Sequence, residues 1–160
     1  MNRSPRSRLV DLPHLQSTEI RNRLGRISMA KGVYDLTHLG HVESLWMARE
    51  HGDSLVVALA TDTSVRRRKG PGRPILTFRE RVGILSSLTM IDYIVPYDDT
   101  NPCSTILAVR PSCFCATHFE YFSTADIAEL RRLEIRLMQL PRPQERSTSD
   151  IIEDIRRKQA

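Results

Sequence analysis

Three cysteines, one tryptophan and seven glycines in 160 residues put several classes of protein out of reach. So few cysteines, and an odd number, cannot build a disulfide framework. With no recognisable secretory leader either, a reducing cytoplasm is the expected setting. No apolar run approaches the ~20 residues that a membrane-spanning helix needs, so no membrane association is expected. Acidic residues are outnumbered, 19 Asp and Glu against 24 Lys and Arg, which leaves a net charge of +5. That surplus suits an anionic ligand but does not choose among nucleotide, nucleic acid and membrane surface. The remaining composition, 40% hydrophobic and 27% charged, is that of a globular chain able to bury a core without staples.

Residues 1–25 are rich in arginine (Arg3, Arg6, Arg8, Arg21, Arg23) and interrupted by Pro5 and Pro13. They read as an N-terminal extension: a mobile tail, then a short helix over Ser17–Leu24 capped by Ser17 or Thr18. No aromatic residues interleave these arginines, which disfavours a nucleic-acid-binding arm. Residues 26–160 read as one domain of alternating strands and helices. Strands are expected at Arg26–Ala30, Ser54–Ala60, Tyr93–Val95 (stopped by Pro96), Ser112–Ala116 and Ile135–Leu140. Helices are expected at Leu39–Glu50, Phe78–Leu88, Asn101–Val109, Thr124–Leu133 and Ser147–Lys158. The first carries Val42, Leu45, Trp46 and Arg49 at helical spacing and ends at Gly52 as a C-terminal glycine would. Thr61–Pro74, containing the basic run Arg66–Lys69, reads as a loop. The near-continuous apolar run Ser54–Ala60 marks a strand buried on both faces of a parallel sheet. The predicted fold class is therefore α/β, a Rossmann-like, doubly wound, parallel five-stranded sheet with helices on both faces. In such sheets ligands sit outside the carboxyl ends of the strands, where strand order reverses.

The stretch Gly32-Val33-Tyr34-Asp35-Leu36-Thr37-His38-Leu39-Gly40-His41 joins the first strand to the first long helix. A helix start offers unpaired N–H groups and a positive dipole end, a seat for phosphate. Gly40 lets a ligand approach the backbone, and His38 and His41 can donate hydrogen bonds to phosphate oxygens as charge builds there. A metal at this pair is disfavoured because the motif holds no third ligand. Cys113 and Cys115 point the same way from a strand and read as buried, inert thiols.

The same stretch resembles the G-x-F-D-x-x-H-x-G-H signature of the cytidylyltransferase-like nucleotidyltransferases. Further motifs follow in the family's order. Arg68-Lys69-Gly70 with Arg73-Pro74 is similar to the loop of the heptose-phosphate adenylyltransferase branch. Glu80-Arg81, Ile84-Leu85 and Ile91-Asp92 resemble the E-R-x-x-I-L and V-D stretches. Residues 141–149, from Pro141-Arg142 to Ser147-Thr148-Ser149, resemble a segment of the glycerol-3-phosphate cytidylyltransferase branch. The resemblance implies transfer of a nucleoside monophosphate from a nucleoside triphosphate to a small acceptor bearing phosphate or phosphonate, with release of pyrophosphate. It implies catalytic roles for His38, His41, Lys69 and Arg142. It also implies nucleotide contacts from Gly32, Val33, Tyr34, Asp35, Gly40, Arg142, Ser147 and Thr148, with Asp35 orienting the loop. Mg²⁺ is expected with the triphosphate, and a homodimer is expected because family members are often dimers.

Where the family usually carries a glycine and then an acidic residue, this chain reads Cys115-Ala116-Thr117-His118. Thr117 and His118 are therefore the expected acceptor-binding residues, His118 favouring an anion. The donor base is divided. The Arg68–Pro74 loop and Thr89, where the cytidylyl branch has arginine, lean to ATP on a sugar phosphate. Pro141-Arg142 and the stand-alone length lean to CTP, the favoured expectation. The rival from another class is a non-catalytic nucleotide- or RNA-binding module. A class I aminoacyl-tRNA synthetase fragment is set aside for its length and want of a K-M-S-K-S segment.

Overall fold

Ser54–Ala60 is buried at every position, which demands strands on both edges and cover on both faces. The computed structural model, which describes residues 8–99, 101–141 and 147–159, supplies both. Five parallel strands, β1 (Ile27–Gly32), β2 (Ser54–Ala60), β3 (Tyr93–Tyr97), β4 (Cys113–Ala116) and β5 (Arg136–Gln139), lie in the order β3-β2-β1-β4-β5. The chain lays down β1, β2 and β3 in one direction and then crosses back to place β4 against the other edge of β1. Strand order thus reverses between β1 and β4, and a crevice opens outside their carboxyl ends.

Side chains alternate along each strand and feed two cores. Met29, Val56, Ala58 and Phe114 face α1 (Leu12–Gln16), α2 (Thr18–Leu24), α6 (Cys103–Val109) and α7 (Thr124–Arg132). Ala30, Val57 and Leu59 face α3 (Leu39–Arg49) and α5 (Phe78–Ser87). Two further helices, α4 (Asp62–Lys69) and α8 (Thr148–Gln159), complete the described elements. The doubly wound α/β architecture expected from the sequence is therefore the one observed.

Several local expectations are corrected. Thr61–Pro74 is not all loop: Thr61 caps α4 by accepting from the Ser64 N–H at 3.1 Å. The cations Arg66–Lys69 fall in the last turn of α4, where the helix dipole favours positive charge. β3 runs through Pro96 to Tyr97, which is possible because it is an edge strand and Pro96 faces outward. Trp46 is half exposed, and α3 is buried instead through Gly40, Leu45 and Ala48. Gly52 is not a helix cap, since α3 is closed by Glu50. A Cβ at position 52 would lie 2.5 Å from the Ser28 nitrogen, so glycine is required where the chain passes under β1.

The described part of the N-terminal segment is integral to the core. Pro13 does not break structure but sits in the first turn of α1, capped by Asp11. Leu15, Ile20 and Leu24 are buried in the cluster that also holds Ile106 and Leu130. The Val10 N–H donates to the Ile94 carbonyl at 3.0 Å, and the Arg8 guanidinium to the Leu88 carbonyl. The expected division at residues 25 and 26 runs through this cluster.

Candidate functional site

The loop after β1 is held from three sides. Tyr34 and Leu36 both adopt left-handed backbone, φ 51° and 48°, a conformation that costs about 1–3 kcal/mol per residue and persists only when neighbours enforce it. Asp35, 1% exposed, accepts from the backbone N–H groups of Ile75 and Leu76, both at 2.9 Å, and from Arg73 Nε at 2.8 Å. Burial alone would raise its pKa, but those donors together hold it below the ordinary value. From α5, the fully buried Arg81 donates to the Val33 carbonyl at 2.7 Å. From α8, the Thr148 hydroxyl donates to the Asp35 carbonyl at 2.7 Å. Gly32 is needed as well, because a Cβ there would stand 2.7 Å from the Tyr34 ring.

This framework places two imidazoles at the start of α3. His38, in extended conformation, is the N-cap residue, and its N–H donates to His41 Nδ1 over 3.4 Å. The two rings lie 3.9 Å apart between centroids, with Tyr34 edge-on to His41 at 5.3 Å. Burial, then the neighbouring His38 and Lys69, push the His41 pKa down to about 4 against a weaker pull from Asp35. His41 is thus neutral near pH 7. With Nδ1 accepting, its hydrogen sits on Nε2, which makes that atom a donor.

A cavity of about 460 Å³ opens beside these rings at the reversal between β1 and β4. Gly32, Tyr34, His38, Gly40 and His41 line one side of it. Thr117 and His118 line another, joined by a 3.1 Å hydrogen bond between Thr117 Oγ1 and His118 Nδ1. Lys69, Ser147 and Thr148 also reach it. A second cavity of about 610 Å³ shares Lys69 and adds Arg73 and Arg156 beside the carboxylate Glu153. Burial, Arg73 and Arg68 lower the Lys69 pKa, partly offset by Asp35.

The structure places some expected residues differently. Val33 and Asp35 do not line the cavity; they hold the loop that does. The Thr148 hydroxyl donates to the Asp35 carbonyl and the Ser147 N–H to Asp150 Oδ2, both at 2.7 Å, while both residues line the cavity. Arg142 lies outside the described residues. Cys113 and Cys115 are buried on one strand face with their sulfurs 3.7 Å apart. Among the described residues no group of three or more His, Cys, Asp or Glu side chains is placed to hold a metal.

Four residues went unassigned in the sequence. Arg73 and Arg81 lay inside noticed motifs, but nothing local says that Arg81 is buried. Tyr121 follows β4 by a few residues and lines the cavity. Lys31 was the findable one: a lone cation ending the apolar run Ile27–Ala30 stands at the carboxyl end of a strand, where ligands bind.

Comparison with known proteins gives a consistent result. The family model for cytidylyltransferase-like proteins matches residues 29–154. Two relatives are called bifunctional protein HldE. The one from Syntrophotalea carbinolica is 44% identical over 94 residues, 58% of this chain and 19% of that protein. The one from Citrifermentans bemidjiense is 39% identical over 133 residues, 81% of this chain and 27% of that protein. This chain therefore spans between 19% and 27% of the length of these curated relatives. Among solved structures, a lipopolysaccharide core biosynthesis protein from Thermoplasma volcanium superposes with a TM-score of 0.60 at 27% identity, covering 77% of this chain and 99% of that one. Pantothenate synthetase from Thermus thermophilus superposes with a TM-score of 0.61, covering 94% of this chain and 70% of that one. At 14% identity that likeness shows the fold alone.

Proposed function

This chain belongs to the cytidylyltransferase-like family, and from that premise we propose that it transfers a nucleoside monophosphate, with ATP the favoured donor, to a small phosphorylated acceptor such as a sugar phosphate. The observation that carries the reading is the buried, neutral His41 beside His38 and Lys69 at the strand-order reversal. An acceptor phosphate oxygen attacks the α-phosphorus, the bond from that phosphorus to the α–β bridging oxygen breaks, and pyrophosphate leaves with the electron pair. His41 Nε2–H and His38 donate to the α-phosphate oxygens as charge builds there, a role for which a desolvated donor is worth far more than one in water. Lys69 neutralises the β- and γ-phosphates, assisted by Arg142. Asp35 keeps the loop in register for in-line attack. Mg²⁺ arrives as part of the triphosphate substrate. Both Asp35 oxygens already accept hydrogen bonds, so Mg²⁺ would be held by the phosphates it accompanies rather than by that carboxylate.

The donor preference departs from the CTP expected from sequence. The HldE relatives and the heptose-type likeness of the Arg68–Pro74 loop both favour an adenylyl donor. No helix among the described residues is long and apolar enough to cross a membrane. A cytoplasmic homodimer is part of the same proposal.

Thermal shift with ATP, CTP, GTP and UTP, each with Mg²⁺, tests the donor, since a ligand at 100 times its Kd stabilises by about 2.7 kcal/mol. ATP should give the largest shift. A larger shift with CTP would restore the cytidylyl reading, and no shift with any of the four would refute the function. Pyrophosphate release with sugar 1-phosphates and glycerol 3-phosphate then tests turnover, which His41→Ala should lower by about 100-fold or more.

A further inference from the structure

The cavity lined by His38 and His41 also holds a cation, Lys31, that no carboxylate among the described residues neutralises. By strand alternation Lys31 lies on the side of β1 that also presents Met29. Its Nζ stands 3.6 Å from the centroid of the Tyr121 ring. The charged group bearing on it most is another cation, Arg68 at the end of α4. An aromatic face compensates only part of a desolvated ammonium's lost hydration. The Tyr121 hydroxyl is itself buried with no hydrogen-bond partner among the described residues, and a buried hydroxyl left so costs free energy unless a ligand completes it. His118 sits edge-on to Tyr121 at 5.4 Å and closes this end of the cavity.

Composition sharpens the point. Only Lys31, Lys69 and Lys158 are lysines among the 24 basic residues, and two of the three line this one cavity. Two compact ammonium groups lining one cavity fit a site that must hold two anionic groups without the reach of a guanidinium fork.

We propose that Lys31 and Tyr121 form the seat for the dianionic phosphate or phosphonate of the acceptor. This rests on the nucleotidyl-transfer reading and names the residues that select the acceptor. Lys31 and Lys69 then divide the anions between them: Lys69 takes the triphosphate, and Lys31 holds the attacking group on the far side of the α-phosphorus. Selection is by charge and size. A neutral sugar or a monoanionic carboxylate leaves the seat unsatisfied.

Lysine labelled with ¹³C at Cε gives a spectrum of three side chains, in which Lys31→Gln identifies the Lys31 signal. Inorganic phosphate and methylphosphonate should each shift that signal saturably, and acetate should not. Lys31→Gln, and separately Tyr121→Phe, should weaken phosphate binding by at least about tenfold while leaving the Mg–ATP thermal shift unchanged, since one tenfold step corresponds to about 1.4 kcal/mol. The seat is overturned if phosphate leaves the Lys31 signal unmoved, if acetate binds as tightly as phosphate, or if Lys31→Gln weakens ATP as much as phosphate. In the last case Lys31 serves the triphosphate. A wild-type protein that binds phosphate at Lys31 but no triphosphate would refute nucleotidyl transfer and leave the anion seat standing.

Discussion

Arg81→Met should be among the most damaging single changes outside the cavity. Arg81 is fully buried and divides its guanidinium among three acceptors: Asp62 Oδ1 at 2.7 Å, the Val33 carbonyl at 2.7 Å and the Leu76 carbonyl at 3.2 Å. Methionine fills much of the volume but donates nothing. Removing one partner of a buried ion pair costs about 3–5 kcal/mol. Asp62 softens this, because it is partly exposed and keeps the Phe78 N–H on its other oxygen at 3.1 Å. The two orphaned carbonyls act the other way, at roughly 1 kcal/mol or more each if water cannot reach them. The net expectation is a loss of about 3–4 kcal/mol, or roughly 6–16 °C in Tm for a chain of this size. Urea unfolding should show a lower midpoint at unchanged slope. Arg81→Lys should fall between, since an ammonium can keep Asp62 but not both carbonyls. A loss below about 1 kcal/mol for the methionine variant would refute the view that this side chain anchors the loop.

Asp35→Asn removes the charge opposite Arg73 while keeping the shape, and should destabilise by about 2–3 kcal/mol in chemical denaturation. Because the Asp35 pKa is held below its ordinary 3.8, its contribution is fully present above that value and fades as pH falls through the folded one; the acid-side slope should flatten in the variant. His41 runs from about 4 folded to 6.5 unfolded, so the unfolded chain binds the extra proton between those values and stability should rise with pH across that window. An NMR titration placing the His41 midpoint of the unliganded protein near 6.5 would contradict its burial. Gly52→Ala should cost several kcal/mol, since the new Cβ meets β1 backbone rather than a movable side chain; wild-type thermal stability in that variant would show that the backbone there can yield.

The sheet and the histidine loop are readable in the sequence because both are written locally. Ser54–Ala60 is apolar enough to admit only a doubly covered strand, and the His38–His41 spacing fixes its own place at a helix start. What escapes is decided by which of several partners each group takes in the folded chain. Four successive cations in Arg66–Lys69 look like solvated loop until Thr61 is seen to cap a helix that ends in them. Ser147 and Thr148 carry the right groups for phosphate, yet the same groups serve Asp150 and the Asp35 carbonyl, and a sequence does not say which acceptor wins. Trp46 keeps helical spacing with buried neighbours and still faces outward. Lys31 shows the converse: its position at a strand end is informative, but that no carboxylate among the described residues pairs with it is a property of three dimensions.

The bond from Thr148 to the Asp35 carbonyl spans 113 residues. During synthesis the five strands can all emerge and pair while that hydroxyl is still inside the ribosome, because β5 ends at Gln139. The sheet can therefore form before the last anchor of the histidine loop is in place, while Arg81 and the contacts of Asp35 with Arg73, Ile75 and Leu76 already hold it from the other two sides. Long-range closures of this kind come late in folding, after the local contacts that reward them sooner. A nascent chain of this protein is thus a nearly complete scaffold whose histidine loop gains its third anchor only when α8 docks.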